Sequence, residues 1–323
     1  LSLLISIVCP MYNESAGLDH YFKKITQHMD ALGHPYELIC VNDGSRDDTL
    51  ALLQAKKAEI ESLRIVNLSR NFGKENALSA GISVAEGDVV IPIDADLQDP
   101  PELIPEMLAK YHEGFDVVLP RRVSRKSDSL AKRWTAGMFY RLLKRLSKVQ
   151  IPENVGDFRL MSRRVVNVLN NLPESQRFMK GLFAWCGFPT AYVDYERPER
   201  VAGESSFSGW KLWNLAWEGI TSFSTVPLRI WTYLGVLVSS VSFLYGAWII
   251  IRTLALGVDT PGYASTIVVV LFLGGIQLIG IGVIGEYIGR IYMESKRRPV
   301  FVIESVNDSV TGRATKTTEV TAQ

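Results

Sequence analysis

The chain has 323 residues, a net charge of +1 and 47% hydrophobic residues, a length and composition that favour two units over a single soluble domain. Its three cysteines, Cys9, Cys40 and Cys186, are odd in number and scattered, which excludes a disulfide framework and a zinc-type ligand spacing. The balanced charge names no partner for the chain as a whole, so local patterns have to do so.

The chain opens on an apolar run, residues 2–9, ended by Pro10. It lacks the basic flank and small-residue cleavage site of a signal peptide, and is read as a first buried strand. Further short apolar runs at 36–42, 63–68, 88–94 and 116–120 read as strands. Helical patterns fall between them at 17–32, 47–59, 74–85 and 101–113. Alternating strands and helices predict an α/β, Rossmann-like, mostly parallel sheet covered on both faces. Ligands of such sheets bind beyond the carboxyl ends of the strands.

Residues 121–148 are locally basic, with Arg122 directly after the fifth strand and Arg133 further on. No base-stacking platform accompanies them, so anionic lipid headgroups and a lipid phosphate are expected as partners, and nucleic acid is not. Arg197, Arg200 and Gly203-Glu204-Ser205 form either a loop over the site or a plain linker. Trp210, Trp213 and Trp217 then recur at helical spacing in 208–223, the pattern of a helix lying in a membrane interface.

Residues 230–251 and 264–285 carry no charged side chain, and each run is long enough to span a bilayer as a helix. Basic residues lie before the first run (Lys211, Arg229) and after the second (Arg290, Lys296, Arg297, Arg298), with none in the loop 253–263. The positive-inside rule then places both chain ends in the cytoplasm. Residues 299–304 have strand character suited to pairing with another chain at a sheet edge, which leaves a homo-oligomer open, and 305–323 read as a mobile tail. The expected division is 1–206 catalytic, 207–228 interfacial, 229–290 a transmembrane hairpin and 291–323 a cytoplasmic strand and tail.

The candidate chemistry lies at the strand ends. Asp94-Ala95-Asp96 follows the fourth strand, and a period of two would point both carboxylates the same way. Oxygen ligands select magnesium or manganese, and Gln98 could add a carbonyl oxygen. A metal there would stabilise charge on a departing nucleoside diphosphate. Tyr12 offers an aromatic face for a base and Asp43 an acceptor for a base N–H, although Asn42-Asp43-Gly44-Ser45 is also ordinary turn chemistry.

Four segments in order carry a resemblance: Val8-Cys9-Pro10-Met11-Tyr12-Asn13-Glu14, Val41-Asn42-Asp43-Gly44-Ser45-Arg46-Asp47, Asn71-Phe72-Gly73-Lys74 and Asp94-Ala95-Asp96-Leu97-Gln98-Asp99-Pro100. With them, residues 3–300 resemble glycosyltransferase family 2, and within it the polyprenyl-phosphate glycosyltransferases similar to dolichol-phosphate mannose synthase and the bacterial GtrB-type enzymes. The resemblance implies a GT-A catalytic domain followed by a two-helix transmembrane hairpin. It also implies Mg2+ or Mn2+, and inverting transfer of a hexose, glucose first, from a nucleotide-diphosphate sugar to undecaprenyl or a related polyprenyl phosphate. Carried over, Pro10, Tyr12, Glu14, Asp43, Lys74 and Asp94 hold the nucleotide sugar. Asp94, Asp96 and Gln98 hold the metal, Arg122 and Arg133 hold the acceptor phosphate, and Asp96, Arg122 and Asp157 act in catalysis. Asp157 stands either as a general base or as a positioning group, because a phosphate monoester is largely dianionic at neutral pH without a base. Rival readings are a processive polysaccharide synthase, which lacks support because no Q-x-x-R-W motif occurs, a lipid flippase and an inactive scaffold.

Overall fold

The computed structural model describes residues 3–122, 155–174, 177, 179–195, 226–256 and 262–307. Arg133, the loop 197–205 and the tryptophan segment 208–223 lie outside the described residues.

An eight-stranded sheet forms the centre of the catalytic part. In chain order its strands are β1 (Ile5–Met11), β2 (Tyr36–Asn42), β3 (Leu63–Leu68), β4 (Val89–Pro92), β5 (Val117–Arg122), β6 (Leu160–Ser162), β7 (Thr190–Tyr195) and β8 (Ile303–Asn307), arranged 7-5-6-4-1-2-3-8. The β1–β2, β2–β3, β1–β4 and β5–β7 pairs are parallel, whereas β6 and β8 enter antiparallel. The sheet is therefore mixed, and the two reversed strands come from segments in which no strand, or one differently placed, was expected.

Alternation along β1 separates two cores. Ile5, Ile7, Cys9 and Met11 pack with helix α1 (Leu18–Leu32), Leu53 of α2 (Thr49–Lys57) and α4 (Ile104–His112). Val8 faces the other way and joins α3 (Lys74–Val84), α5 (Arg163–Asn170) and α6 (Met179–Trp185). A strand buried on both faces is apolar at most positions, with Ser6 in β1 and Glu37 and Asn42 in β2 the buried polar ones, which is why these runs show no amphipathic alternation in the sequence.

The residues expected to pair with a second chain pair with this one. β8 runs antiparallel to β3, and the chain just before it adds Ser69 N–H donating to Val302 O at 3.0 Å. Phe301, Ile303 and Val306 pack against the second core. The edge of β3 is thus covered from within the chain. Ser305, expected to open a mobile tail, belongs to this strand.

Between β7 and β8 in chain order lie two long helices, α7 (Val226–Leu256) and α8 (Tyr263–Ser295). Both outrun the 22-residue spans read from charge alone. Among the described residues Phe272–Ser295 is long and apolar enough to cross a membrane. The helices meet where Trp231 of α7 lies against Gly280 of α8, whose Cβ, were there one, would stand 3.4 Å from the indole. A small residue at the crossing lets the ring reach the helix backbone.

Candidate active site

A cleft of about 280 Å³ opens at the carboxyl edge of β1, β2 and β4, lined by Pro10, Tyr12, Glu14, Asp43, Lys74, Asp94 and Asp96. A wider, open depression of about 790 Å³ surrounds Pro35, Tyr36 and Ser62 at the amino edge. The strand order reverses around β1, and ligands of open α/β sheets bind at the carboxyl side of such a reversal, so the smaller cleft is the candidate.

Its walls are loops that hold one another. After β1, Asn13 takes a left-handed conformation (φ 56°), which an Asn side chain tolerates better than most. Asn13 N–H donates to Ser45 Oγ at 3.0 Å, and Arg46 N–H donates to Asn13 Oδ1 at 2.8 Å. Glu14 N–H donates to Thr49 Oγ1 at 2.9 Å. After β2, Gly44 (φ 63°) lies so close to the next loop that a Cβ would sit 2.5 Å from the Arg70 carbonyl carbon. Only glycine fits that approach.

Asp43 is buried, and both its oxygens accept backbone N–H groups, from Phe72 at 2.7 Å and Gly73 at 2.9 Å. Burial raises its pKa; the two N–H groups and Arg70 pull the other way without cancelling the rise. Asp43 thus clamps the loop that opens α3, a contact the sequence reading did not foresee.

Contrary to what their spacing predicted, Asp94 and Asp96 are not set by the period of a strand. β4 ends at Pro92, and the acids sit in a turn in which Leu97 N–H donates to Asp94 O and Leu97 is left-handed (φ 47°). The turn nonetheless brings both to the cleft. Gln98 contributes its backbone N–H, which donates to Asp96 Oδ1 at 3.1 Å.

Lys74, the first residue of α3, is the hub. Its Nζ lies 2.7 Å from Asp94 Oδ2 and 3.0 Å from Asp157 Oδ2, joining the fourth strand's loop to the segment before β6. Burial opposes the Lys74 charge, but the two carboxylates outweigh it and hold the ammonium above its usual pKa. Burial also works to raise the Asp157 carboxyl. Lys74, Lys180 and Arg159 overcome it, so Asp157 lies below the usual carboxylate range. Asp94 is raised instead, by burial first and by Asp157 and Asp96, despite Lys74.

Two further groups support this cluster: Glu75, which no motif marks, and Arg159, which stands in the Asp157-Phe158-Arg159 motif but had no role assigned from the sequence. Glu75 is pushed up to about 7 by burial and by Asp157, and accepts the Met179 N–H at 3.2 Å. Arg159, buried over the Phe183 ring at 3.9 Å, donates to the carbonyls of Gly156 and Asp157. Arg122 ends β5 and is half-buried. Its neighbour Arg121 is taken by Asp194, in a fork with contacts of 2.7 and 2.9 Å.

The acids fit a divalent cation shared with a ligand rather than one caged by protein. Among the described residues, no group of three or more His, Cys, Asp and Glu side chains could hold a metal ion. Magnesium is commonly held by one or two carboxylates plus substrate phosphates, and Asp94 with Asp96 supplies that much. Glu14 is raised by burial and then by Asp96 and Asp94, so negative potential accumulates at this spot. Asp157 Oδ1 is buried with no hydrogen-bond partner among the described residues, while its Oδ2 holds Lys74.

Fold and site together define an α/β domain of the kind that binds its ligand at the carboxyl edge of the sheet, here in an acid-lined cleft. Residues 6–169 match the family model for glycosyl transferase family 2, and residues 226–291 match that of the GtrB C-terminal hairpin. An uncharacterized glycosyltransferase of Synechocystis sp. is 52% identical over 306 residues, 95% of this chain and 96% of that one. The bactoprenol glucosyl transferase of Shigella phage SfV is 52% identical over 301 residues, 93% of this chain and 98% of that one. Among solved structures, the mannosyltransferase PcManGT from Pyrobaculum calidifontis, in complex with GDP-Man and Mn2+, is similar over 67% of this chain and 61% of that one, with 16% identity and a TM-score of 0.45. The chain belongs to glycosyl transferase family 2, with a GT-A-type catalytic domain and a GtrB-type C-terminal hairpin.

Proposed function

We propose that this glycosyltransferase moves glucose from UDP-glucose to undecaprenyl phosphate, with inversion, on the cytoplasmic face of a bacterial inner membrane. The observation that carries the reading is Lys74 bridging Asp94 and Asp157 at the carboxyl edge of the sheet, in a chain whose hairpin lies only a short linker from that sheet. Residues 296–302 join α8 to β8, and seven residues reach at most about 25 Å. Relatives named bactoprenol glucosyl transferase, similar over nearly their full length, support the acceptor and the sugar.

In this reading the nucleotide sits between the Tyr12 loop and the Asp43 loop, with the diphosphate toward Lys74, Asp94 and Asp96. A Mg2+ or Mn2+ held by Asp94 and Asp96, beside Gln98, would supply charge neutralisation for the departing diphosphate. Arg122 holds the acceptor phosphate, with Arg133 as its proposed companion. Asp157 positions rather than deprotonates: Lys74, Lys180 and Arg159 hold it below the usual carboxylate range, which makes it a poor base. Most of the rate enhancement then comes from orientation and fixed charge. The hairpin spans the membrane with both its ends cytoplasmic, the orientation that the flanking basic residues favour.

The test is a panel of radiolabelled nucleotide sugars, incubated with undecaprenyl phosphate and the purified chain in detergent. Label should enter the organic phase from UDP-glucose in preference to the galactose, mannose and aminosugar donors. Equal transfer from another donor would overturn the sugar assignment. Label that stays in the aqueous phase with every donor would overturn the reaction.

A further inference from the structure

We infer that Glu304, on the strand that follows the hairpin, is a positioning residue for the nucleotide-binding loops and acts through a chain of oriented side-chain amides. The inference rests on the donor-site reading above. Three hydrogen bonds carry it. Asn67 Nδ2 donates to Glu304 Oε2 at 2.6 Å, Asn42 Nδ2 donates to Asn67 Oδ1 at 2.7 Å, and Ser45 N–H donates to Asn42 Oδ1 at 3.2 Å.

The two ends of this chain fix its direction. A backbone N–H can only donate, so Asn42 must turn its oxygen to Ser45 and its NH2 to Asn67. An ionised carboxylate can only accept, so Asn67 must turn its NH2 to Glu304 and its oxygen to Asn42. Both amides are thereby locked in one of their two flips. Asn42 is 2% exposed, so a mispaired amide there would have no water to fall back on.

The register is built for this contact. Asn67 pairs with Ser305, but Leu68 pairs with Ile303, so Glu304 is the extra residue of a bulge opposite the end of β3. A bulge re-aims a side chain at the point where regular pairing stops. Asn42 and Asn67 are themselves register partners on β2 and β3, which stacks the chain across three neighbouring strands.

Its far end reaches the proposed nucleoside site. Ser45 Oγ accepts the Asn13 N–H, and Asn13 Oδ1 accepts the Arg46 N–H, so orienting Ser45 orients both loops that flank the cleft. The strand attached to the membrane hairpin thus reaches the loops of the donor pocket through a contact between residues 237 apart in sequence, Asn67 and Glu304.

The experiment measures UDP affinity by calorimetry on the full chain in detergent, with melting temperature alongside. Glu304→Gln keeps an acceptor oxygen and should bind UDP as the wild type does. Glu304→Lys replaces the acceptor with a donor, reverses the demand on both amides, and should weaken UDP binding about five- to tenfold, the scale of one lost hydrogen bond. Adding Asn67→Asp to Glu304→Lys supplies a carboxylate that accepts from both Lys and Asn42, and should recover most of the affinity. In turnover assays the loss should fall on the donor KM while kcat and the lipid KM hold. UDP affinity that stays at the wild-type value in Glu304→Lys, or that fails to recover in the double variant, overturns the inference. Asp43→Ala serves as the separate control. If it binds UDP normally, the donor-site reading fails, whatever Glu304 does.

Discussion

Helices α1 and α8 are both rich in apolar residues, yet they expose them in opposite ways. α1 buries Leu18, Tyr21, Phe22, Ile25 and Met29 against the sheet and turns Asp19, Lys23 and Gln27 to water. α8 leaves Leu278 71% and Ile281 64% exposed, and its apolar residues run all around the helix. A one-sided stripe is what a sheet-covering helix needs, whereas an all-round apolar surface needs a hydrocarbon environment. The difference gives one chain two kinds of helix, one made to cover a sheet and one that contains a stretch, Phe272–Ser295, long and apolar enough to cross a membrane.

The sharpest attack on the sheet-bearing half is Lys74→Met. It leaves Asp94 and Asp157 facing each other without their shared cation. Transfer should fall about 10²–10³-fold, the range for removal of one preorganised charge, while circular dichroism shows the fold retained. Activity within twofold of wild type would remove Lys74 from the site.

The next prediction sets the two helices against each other directly. Ile281→Asp on α8 should cost about 2.5–3.5 kcal/mol of membrane insertion and move protein out of the membrane fraction. Gln27→Asp on the wet face of α1 should change stability by no more than about 0.5 kcal/mol. Equal effects at the two positions would mean that the helices share one environment.

Asp157→Asn addresses the role of the depressed carboxylate. It should cost on the order of tenfold in kcat, about 1.4 kcal/mol, with the same loss across pH 6–9, because a positioning group is not consumed by titration. A deficit that shrinks as pH rises would make Asp157 a base instead.

The smallest effect concerns Glu75. Its carboxyl is raised in the folded protein to about 7, against an unfolded value near ~4.3, so the folded state binds the proton more tightly. Stability from this group is complete below the unfolded value, falls as pH rises toward 7, and stays low above it. Glu75→Gln should therefore stabilise the protein at pH 8 by on the order of 1 kcal/mol, read as a higher melting temperature there, and should change nothing at pH 4. A gain that is equal at both pH values would place the effect elsewhere.

The strands up to β5 were legible because doubly buried strands leave short, unbroken apolar runs. β6, at three residues, is too short to show any period. β7 does alternate, exposed then buried from Thr190 to Tyr195, and that period-two signal was present but unread. β8 was recognised as strand-like, yet its partner lies 237 residues earlier at the Asn67–Glu304 contact, and no local pattern records such a pairing. The cleft residues were readable as types at strand ends. Their connections were not: the Lys74–Asp157 ion pair and the clamp of Asp43 on Phe72 and Gly73 arise from folding, not from spacing.

The account stands most directly on Asp96. Wild type and Asp96→Ala, reconstituted side by side in vesicles containing undecaprenyl phosphate and given labelled UDP-glucose with Mg2+ or Mn2+, should differ by at least about 10²-fold in lipid-borne label at unchanged melting temperature. Matching label in the two samples, or full transfer by the wild type under excess chelator, would contradict it.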